Sequence, residues 1–342
     1  MSHRREISGE SSRDERGVIE ALLGDGHFLL ALTGVALAGS GGFALFLCLT
    51  GHFLPHDVAH LGMDAKQLAL VSNPQLVNFM FHDRAAFGGA LLSMGALYLW
   101  LVAFPLRRGE AWAWWTLAVS GGTGFGSFLT YLAYGYLDQW HGVATLCLLP
   151  IYVAGMAKAW SRLPQERGVG TFLRKRRFVE EGRTGLLGRR LLLLYGGGLV
   201  AAGIVISITG MTQVFVMTDL RYIGMTRLEI CGVSNRLVPL IAHDRAGFGG
   251  GLLSIGIVIL AVVFHAPATR SFKQVMLFAG GTGFATAIGV HFIIGYLDVL
   301  HIAPAFAGLA IFLAGWALTS FAPGGADTRE PFSLETKKAD AL

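Results

Sequence analysis

Eight stretches of the chain are almost free of polar side chains, near 28–50, 85–104, 112–135, 141–160, 191–216, 246–264, 274–297 and 302–321. Each approaches the roughly 20 apolar residues that carry a helix across a hydrocarbon core about 30 Å thick. Lipid offers the backbone no hydrogen-bond partner, so such runs must be helices that satisfy their own amides. The pattern predicts an all-α, polytopic membrane protein with eight transmembrane helices. The first run is too long for a signal-peptide core and no small-residue cleavage site follows it, so it reads as a retained first helix.

The runs are organised as a duplication, the feature most worth seeking early. His82-Asp83-Arg84-Ala85-Ala86-Phe87-Gly88-Gly89 returns as His243-Asp244-Arg245-Ala246-Gly247-Phe248-Gly249-Gly250. Gly121-Gly122-Thr123-Gly124-Phe125 returns as Gly280-Gly281-Thr282-Gly283-Phe284, and Gly135-Tyr136-Leu137-Asp138 with His141 returns as Gly295-Tyr296-Leu297-Asp298 with His301. Upstream, Asp57 with Leu61-Gly62-Met63 matches Asp219 with Ile223-Gly224-Met225, and the offset stays between 159 and 162 residues throughout. The expected organisation is a tail (1–26), a first four-helix repeat (27–161), a basic linker (162–190), a second repeat (191–321) and a second tail (322–342). An even number of helices per half gives both halves one orientation, whereas inverted repeats need an odd number.

Composition agrees. Only 14% of residues are charged, against roughly a quarter in soluble domains. Of the 27 lysines and arginines, all but Lys66, Arg84, Arg221, Arg227, Arg236 and Arg245 fall in the tails, the linker and the loops on the same side. The positive-inside rule places both termini in the cytoplasm of a cell with the protein in its inner membrane. The net charge of +5 thus sets topology and is no nucleic-acid signature. Cys48, Cys147 and Cys231 form no CxxC and do not repeat, so neither a redox motif nor a thiolate metal site is expected.

The polar residues cluster where helices 2, 4, 6 and 8 begin, all on the outer side. His82, His141, His243 and His301 stand at these four starts. Asp138 and Asp298 lie three residues before their histidines, the spacing that puts two side chains on one helical face. A carboxylate that orients an imidazole is a common support for a metal-bound histidine, so the four histidines are candidate ligands with Asp83, Asp138, Asp244 and Asp298 behind them. Arg84 and Arg245 point away from their histidines and suit a propionate, a lipid phosphate or an acidic neighbour; a pairing of Asp and Arg between the halves is the structural alternative. Asn73-Pro74 reads as an N-cap followed by proline at the first helical position, which sets His82 about 12 Å inside its helix. Gly88, Gly89 and Gly95 are expected to meet Gly121, Gly122 and Gly124, small residues allowing close approach, and Gly89 and Gly250 leave room for a flat cofactor. His291 has no repeat counterpart and reads as a packed, hydrogen-bonded histidine. The loops 51–73 and 217–235 hold short amphipathic stretches expected to fold over the outer ends.

In architecture, over 28–321, this layout resembles heme A synthase, a family of two four-helix halves with histidines near the outer ends of helices 2, 4, 6 and 8. The resemblance implies heme held by His82 with His141 and by His243 with His301; for an electron-transfer protein with heme b, quinone or a periplasmic electron carrier is the expected partner beside the membrane lipid. The motif departs from that family, with Phe79 and Leu240 where it has glutamate and with Asp83 and Asp244 between histidine and arginine. The expected function is a heme-binding oxidoreductase or electron carrier. A transporter of two parallel repeats, a non-heme zinc, iron or copper protein, and a scaffold subunit of a membrane complex are the alternatives.

Overall fold

The computed structural model describes residues 24–128, 136, 139–174 and 182–320, with the side chains of 128, 139–141 and 320 not described. Every regular element among the described residues is helical. The long helices are α1 (His27–Thr50), α4 (Pro74–Leu101, prolonged by a π turn over Val102–Leu106), α5 (Ala111–Phe128), α6 (Gln139–Arg162), α8 (Arg183–Met211), α11 (Leu237–His265), α12 (Arg270–Ile294) and α13 (Val299–Ser320). The short ones are α2 (Pro55–Leu61), α3 (Ala65–Val71), α7 (Gly170–Leu173), α9 (Met217–Ile223) and α10 (Arg227–Val233). Seven of the long helices are long and apolar enough to cross a membrane; the exception is α5, whose described part is 18 residues and rich in Trp, Gly, Ser and Thr.

Helices α4 and α11 form the core and pack against each other. α1 lies on α4 as α8 lies on α11, α12 crosses onto α4 as α5 crosses onto α11, and α6 and α13 flank α1 and α8. The closest crossings explain the glycines. A Cβ on Gly41 would meet the carbonyl of Gly88, and one on Gly203 would meet the backbone of Gly249 and Leu253. Gly34 and Gly95 make the same kind of contact one heptad away, as do Gly196 and Gly256. Residues seven apart face the same way two turns along a helix, so these glycines form flat stripes. The expectation that the α4 glycines meet those of α5 is therefore corrected: Gly88 and Gly95 meet α1, while Gly121 of α5 accommodates the Tyr152 ring of α6.

The start of α4 follows its sequence. The Asn73 side chain accepts from Leu76 N at 2.8 Å and its Nδ2 donates to Ile223 O at 2.9 Å, so one residue caps α4 and ties it to α9. The loops 51–73 and 217–235 fold as the helix pairs α2–α3 and α9–α10 over one end of the bundle, as expected. Within them, Asp57 accepts from Leu54 N and Asp219 from Val216 N. The three cysteines are free.

Candidate functional site

The end of the bundle under the short helices carries a buried network of ionisable side chains. His82, Asp83 and Arg84 lie in the third turn of α4, and His243, Asp244 and Arg245 in the second turn of α11. Successive helical residues point about 100° apart, so each triplet fans in three directions. Arg84 Nε meets Asp244 Oδ2 at 2.9 Å, and Arg245 Nε meets Asp83 Oδ2 at 3.0 Å. Their other ends meet the short helices, Arg84 Nη1 to Asp57 Oδ2 and Arg245 Nη1 to Asp219 Oδ2, both at 2.6 Å. Asp57 takes a further hydrogen bond from Tyr136 and Asp219 one from Tyr296, each at 2.9 Å. Phe79, where the heme A synthase pattern has glutamate, lies under the Arg245 guanidinium at 4.9 Å.

The sequence alternative in which Asp and Arg pair between the halves is therefore what forms. Each arginine is held through Nε and Nη1 by two carboxylates in a place almost closed to solvent, so its acidic neighbours are those of this chain. Asp83 and Asp244 also lie beside histidines, with His82 Nδ1 at 2.9 Å from Asp83 and His243 Nδ1 at 3.0 Å from Asp244. Asp298 takes a different place: its carboxylate accepts from the backbone N of His301, starting α13, and meets the exposed Arg221 at 3.3 Å. The carboxylate nearest the His301 ring is Asp219, at 3.9 Å. Asp138 and the side chain of His141 lie outside the described residues.

Three imidazoles converge. His82 Nε2 and His291 Nε2 are 3.0 Å apart, and the His301 ring centroid is 5.7 Å from that of His82 and 5.2 Å from that of His291. One ring nitrogen of each lies within 4.8 Å of the other two. His82 thus meets a histidine of the second half, and His291 joins them. Sequence reasoning gave His291 only its packing role, which it also has: its Nδ1 lies 2.6 Å from Ala287 O. Being unrepeated hid it, while repetition had marked Asp57, Asp219 and Tyr296 without revealing that they reach this network.

The hydrogen bonds favour one tautomer for each ring. His291 Nδ1 must donate, because a carbonyl only accepts, and His82 Nδ1 donates to an ionised carboxylate. Tyr296 gives its one proton to Asp219, so its oxygen accepts from His301 Nδ1, 3.0 Å away. All three Nε2 atoms then carry lone pairs when the rings are neutral. Two lone pairs at 3.0 Å repel unless a proton or a metal ion lies between them. The surrounding charges point the same way, since Asp83 and Asp219 outnumber Arg245.

These distances suit a compact ion and are too short for His82 and His291 to hold one heme between them, while the expected pair His82–His141 lies partly outside the described residues. Metal–imidazole bonds are about 2 Å, so ligands on opposite faces of a porphyrin stand about 4 Å apart with the macrocycle between them. Here the His82 and His291 rings are in direct contact, edge to face, with centroids 4.4 Å apart. Gly89 and Gly250 offer no slot either: a Cβ on Gly89 would run into Thr286 of α12, and one on Gly250 into Ser127 of α5. The helices cross so closely there that neighbouring hydroxyl side chains fill the space.

The fold and site together define a helical membrane protein with a buried His–Asp–Arg network at one end of its bundle. No family model, no curated protein and no solved structure matches the chain.

Proposed function

We propose that this is an integral membrane metalloprotein holding one transition-metal ion through His82, His291 and His301. In this reading eight spans form two parallel four-helix halves around an axis along the membrane normal, with the short helices on the outer face and both termini in the cytoplasm.

One observation carries it: three imidazoles converge while the Nδ1 of each has a polar partner, Asp83 for His82, Ala287 O for His291, and Tyr296 and Thr218 for His301. Histidines that bind metals characteristically donate their other ring N–H to a carboxylate, carbonyl or similar group, which fixes tautomer and orientation. Neutral imidazoles suit zinc, copper or iron and not magnesium or calcium. Three protein ligands leave a further position for water or a substrate, the arrangement of sites that do chemistry rather than hold a fold together. Only one such centre is expected per chain, because the position equivalent to His291 in the first half is occupied near Tyr131 by a residue without an imidazole.

The test is elemental analysis of detergent-purified protein, with an absorption spectrum and a pyridine hemochrome assay on the same sample. The expected result is zinc, copper or iron at a stoichiometry near one per chain, lost in His291→Ala. A Soret band with sharp reduced α and β bands would replace this reading by the heme-protein one. Protein that neither carries a transition metal nor takes one up on reconstitution would leave the three histidines as a proton-sharing structural cluster.

A further inference from the structure

The end of the bundle opposite the histidine cluster carries the linker between the halves, and two sets of contacts dock it there. His265, the last residue of α11, donates from Nε2 to Phe172 O at 2.8 Å, and its ring is stacked with those of Phe172 and Trp112, at 6.2 and 5.1 Å. Nearer α6, Trp115 Nε1 of α5 donates to Arg167 O at 3.0 Å. The Arg167 guanidinium lies 4.9 Å over the Trp160 ring and donates from Nη1 to Trp160 O at 2.8 Å. Trp114 packs on Trp160 in turn, with ring centroids 4.5 Å apart. The linker backbone is therefore fixed at the level of a tryptophan cluster. Tryptophan concentrates at membrane–water interfaces, where its apolar body and polar N–H are both satisfied.

Held at this level, the linker leaves two aliphatic side chains uncovered. Val169 and Leu173, four residues apart on one side of the α7 turn, are 52% and 70% exposed. The exposed charges from 158 to 174 are Lys158, Arg162 and Arg174 against Glu166 alone. We infer that residues 167–174 form a docking surface for the anionic phospholipid headgroups of the leaflet at this end. Val169 and Leu173 insert among the headgroups, and Lys158, Arg162 and Arg174 bind phosphate. Aliphatic side chains bordered by cations are the composition of segments that lie in the interface plane, and the cations add attraction to anionic lipid. A linker adapted to water alone would gain nothing from exposing Val169 and Leu173. The inference is independent of the histidine centre.

Hydrogen exchange of the full chain in nanodiscs tests this, read by mass spectrometry on peptides covering 165–174. Exchange should be slower in phosphatidylglycerol than in phosphatidylcholine discs, each cation near an anionic surface changing binding roughly fivefold. Val169→Ser with Leu173→Ser keeps every charge and should lose most of the slowing. Arg162→Gln with Arg174→Gln should lose it as well. Unchanged exchange in peptides of α11 shows that the variants remain folded. Equal exchange in the two lipids would overturn the inference. If fast in both, the linker is simply solvated; if slow in both and in detergent, its cover is protein, a tail of this chain or a partner. Slowing that survives the paired serine substitutions would overturn it too, since the aliphatic side chains would then take no part.

Discussion

Arg245 of α11 and Asp83 of α4 form an ion pair at 3.0 Å across 162 positions of sequence, and the same arginine reaches Asp219 at 2.6 Å. Both carboxylates are almost completely buried. A buried pair contributes little net stability when intact, but removing one partner strands the other charge in a place that cannot solvate it. Arg245→Ala strands two. It is expected to lower stability by about 3–5 kcal/mol, the cost of breaking a buried pair. The thermal unfolding temperature in detergent would show a large drop. Combining Arg245→Ala with Asp83→Asn should recover part of the loss, and failure to recover any would mean that the two residues do not share their energy.

Tyr296 links a carboxylate to a ring. Its hydroxyl donates to Asp219 and sits 3.0 Å from His301 Nδ1. Tyr296→Phe keeps the packed ring and removes both the oxygen beside His301 Nδ1 and the hydrogen bond to the buried Asp219 carboxylate. Loss of such a supporting partner typically weakens metal binding about 10–100-fold. Chelator competition on Tyr296→Phe should show a shift of that order, with stability lowered by about 1–3 kcal/mol for the buried Asp219 left without this donor. Equal affinity in Tyr296→Phe and in the double variant with Thr218→Val, which removes the other hydroxyl at His301 Nδ1, would remove His301 from the proposed ligand set.

Much of this was legible in the chain. Asn73-Pro74 announced the start of α4, because capping and the fixed proline φ are local effects. The helical membrane class followed from runs of apolar residues, and the His–Asp–Arg pairing between halves stood among the readings of the repeat. The glycine partners were not legible: a stripe on α4 says that something packs closely there, not whether it is α1 or α5. Nor was the joining of His82 to His291 and His301, since which helix faces which across the bundle is set by tertiary packing. Motif matching also favours what repeats, and His291 is the ligand candidate that does not.

The glycine stripes give a stability prediction with an internal control. A Cβ at Gly203 would meet the Leu253 backbone N and the Gly249 carbonyl, neither of which can turn aside as a side chain would, whereas one at Gly198 in the same helix meets nothing within 4 Å. Gly203→Val should cost about 1–3 kcal/mol or more, the usual penalty of overpacking. Gly198→Val should change the unfolding temperature little. Similar behaviour of the two variants would show that α8 and α11 do not cross at Gly203.

His82 and His243 occupy equivalent positions in an eight-residue repeated motif, each with its Nδ1 on an aspartate and a tyrosine ring beside it, Tyr296 for His82 and Tyr136 for His243. The His82 ring also meets His291, which has no histidine counterpart in the first half of the sequence. A role that belonged to the motif itself would make the two histidines equally important for the bound ion. A role that depends on convergence makes them unequal. His82→Ala should therefore abolish metal retention, and His243→Ala should leave the metal content of the purified protein unchanged while lowering its stability through the freed Asp244. Metal content measured on both variants decides between these accounts, and a parallel loss in His243→Ala would require a second centre in the first half.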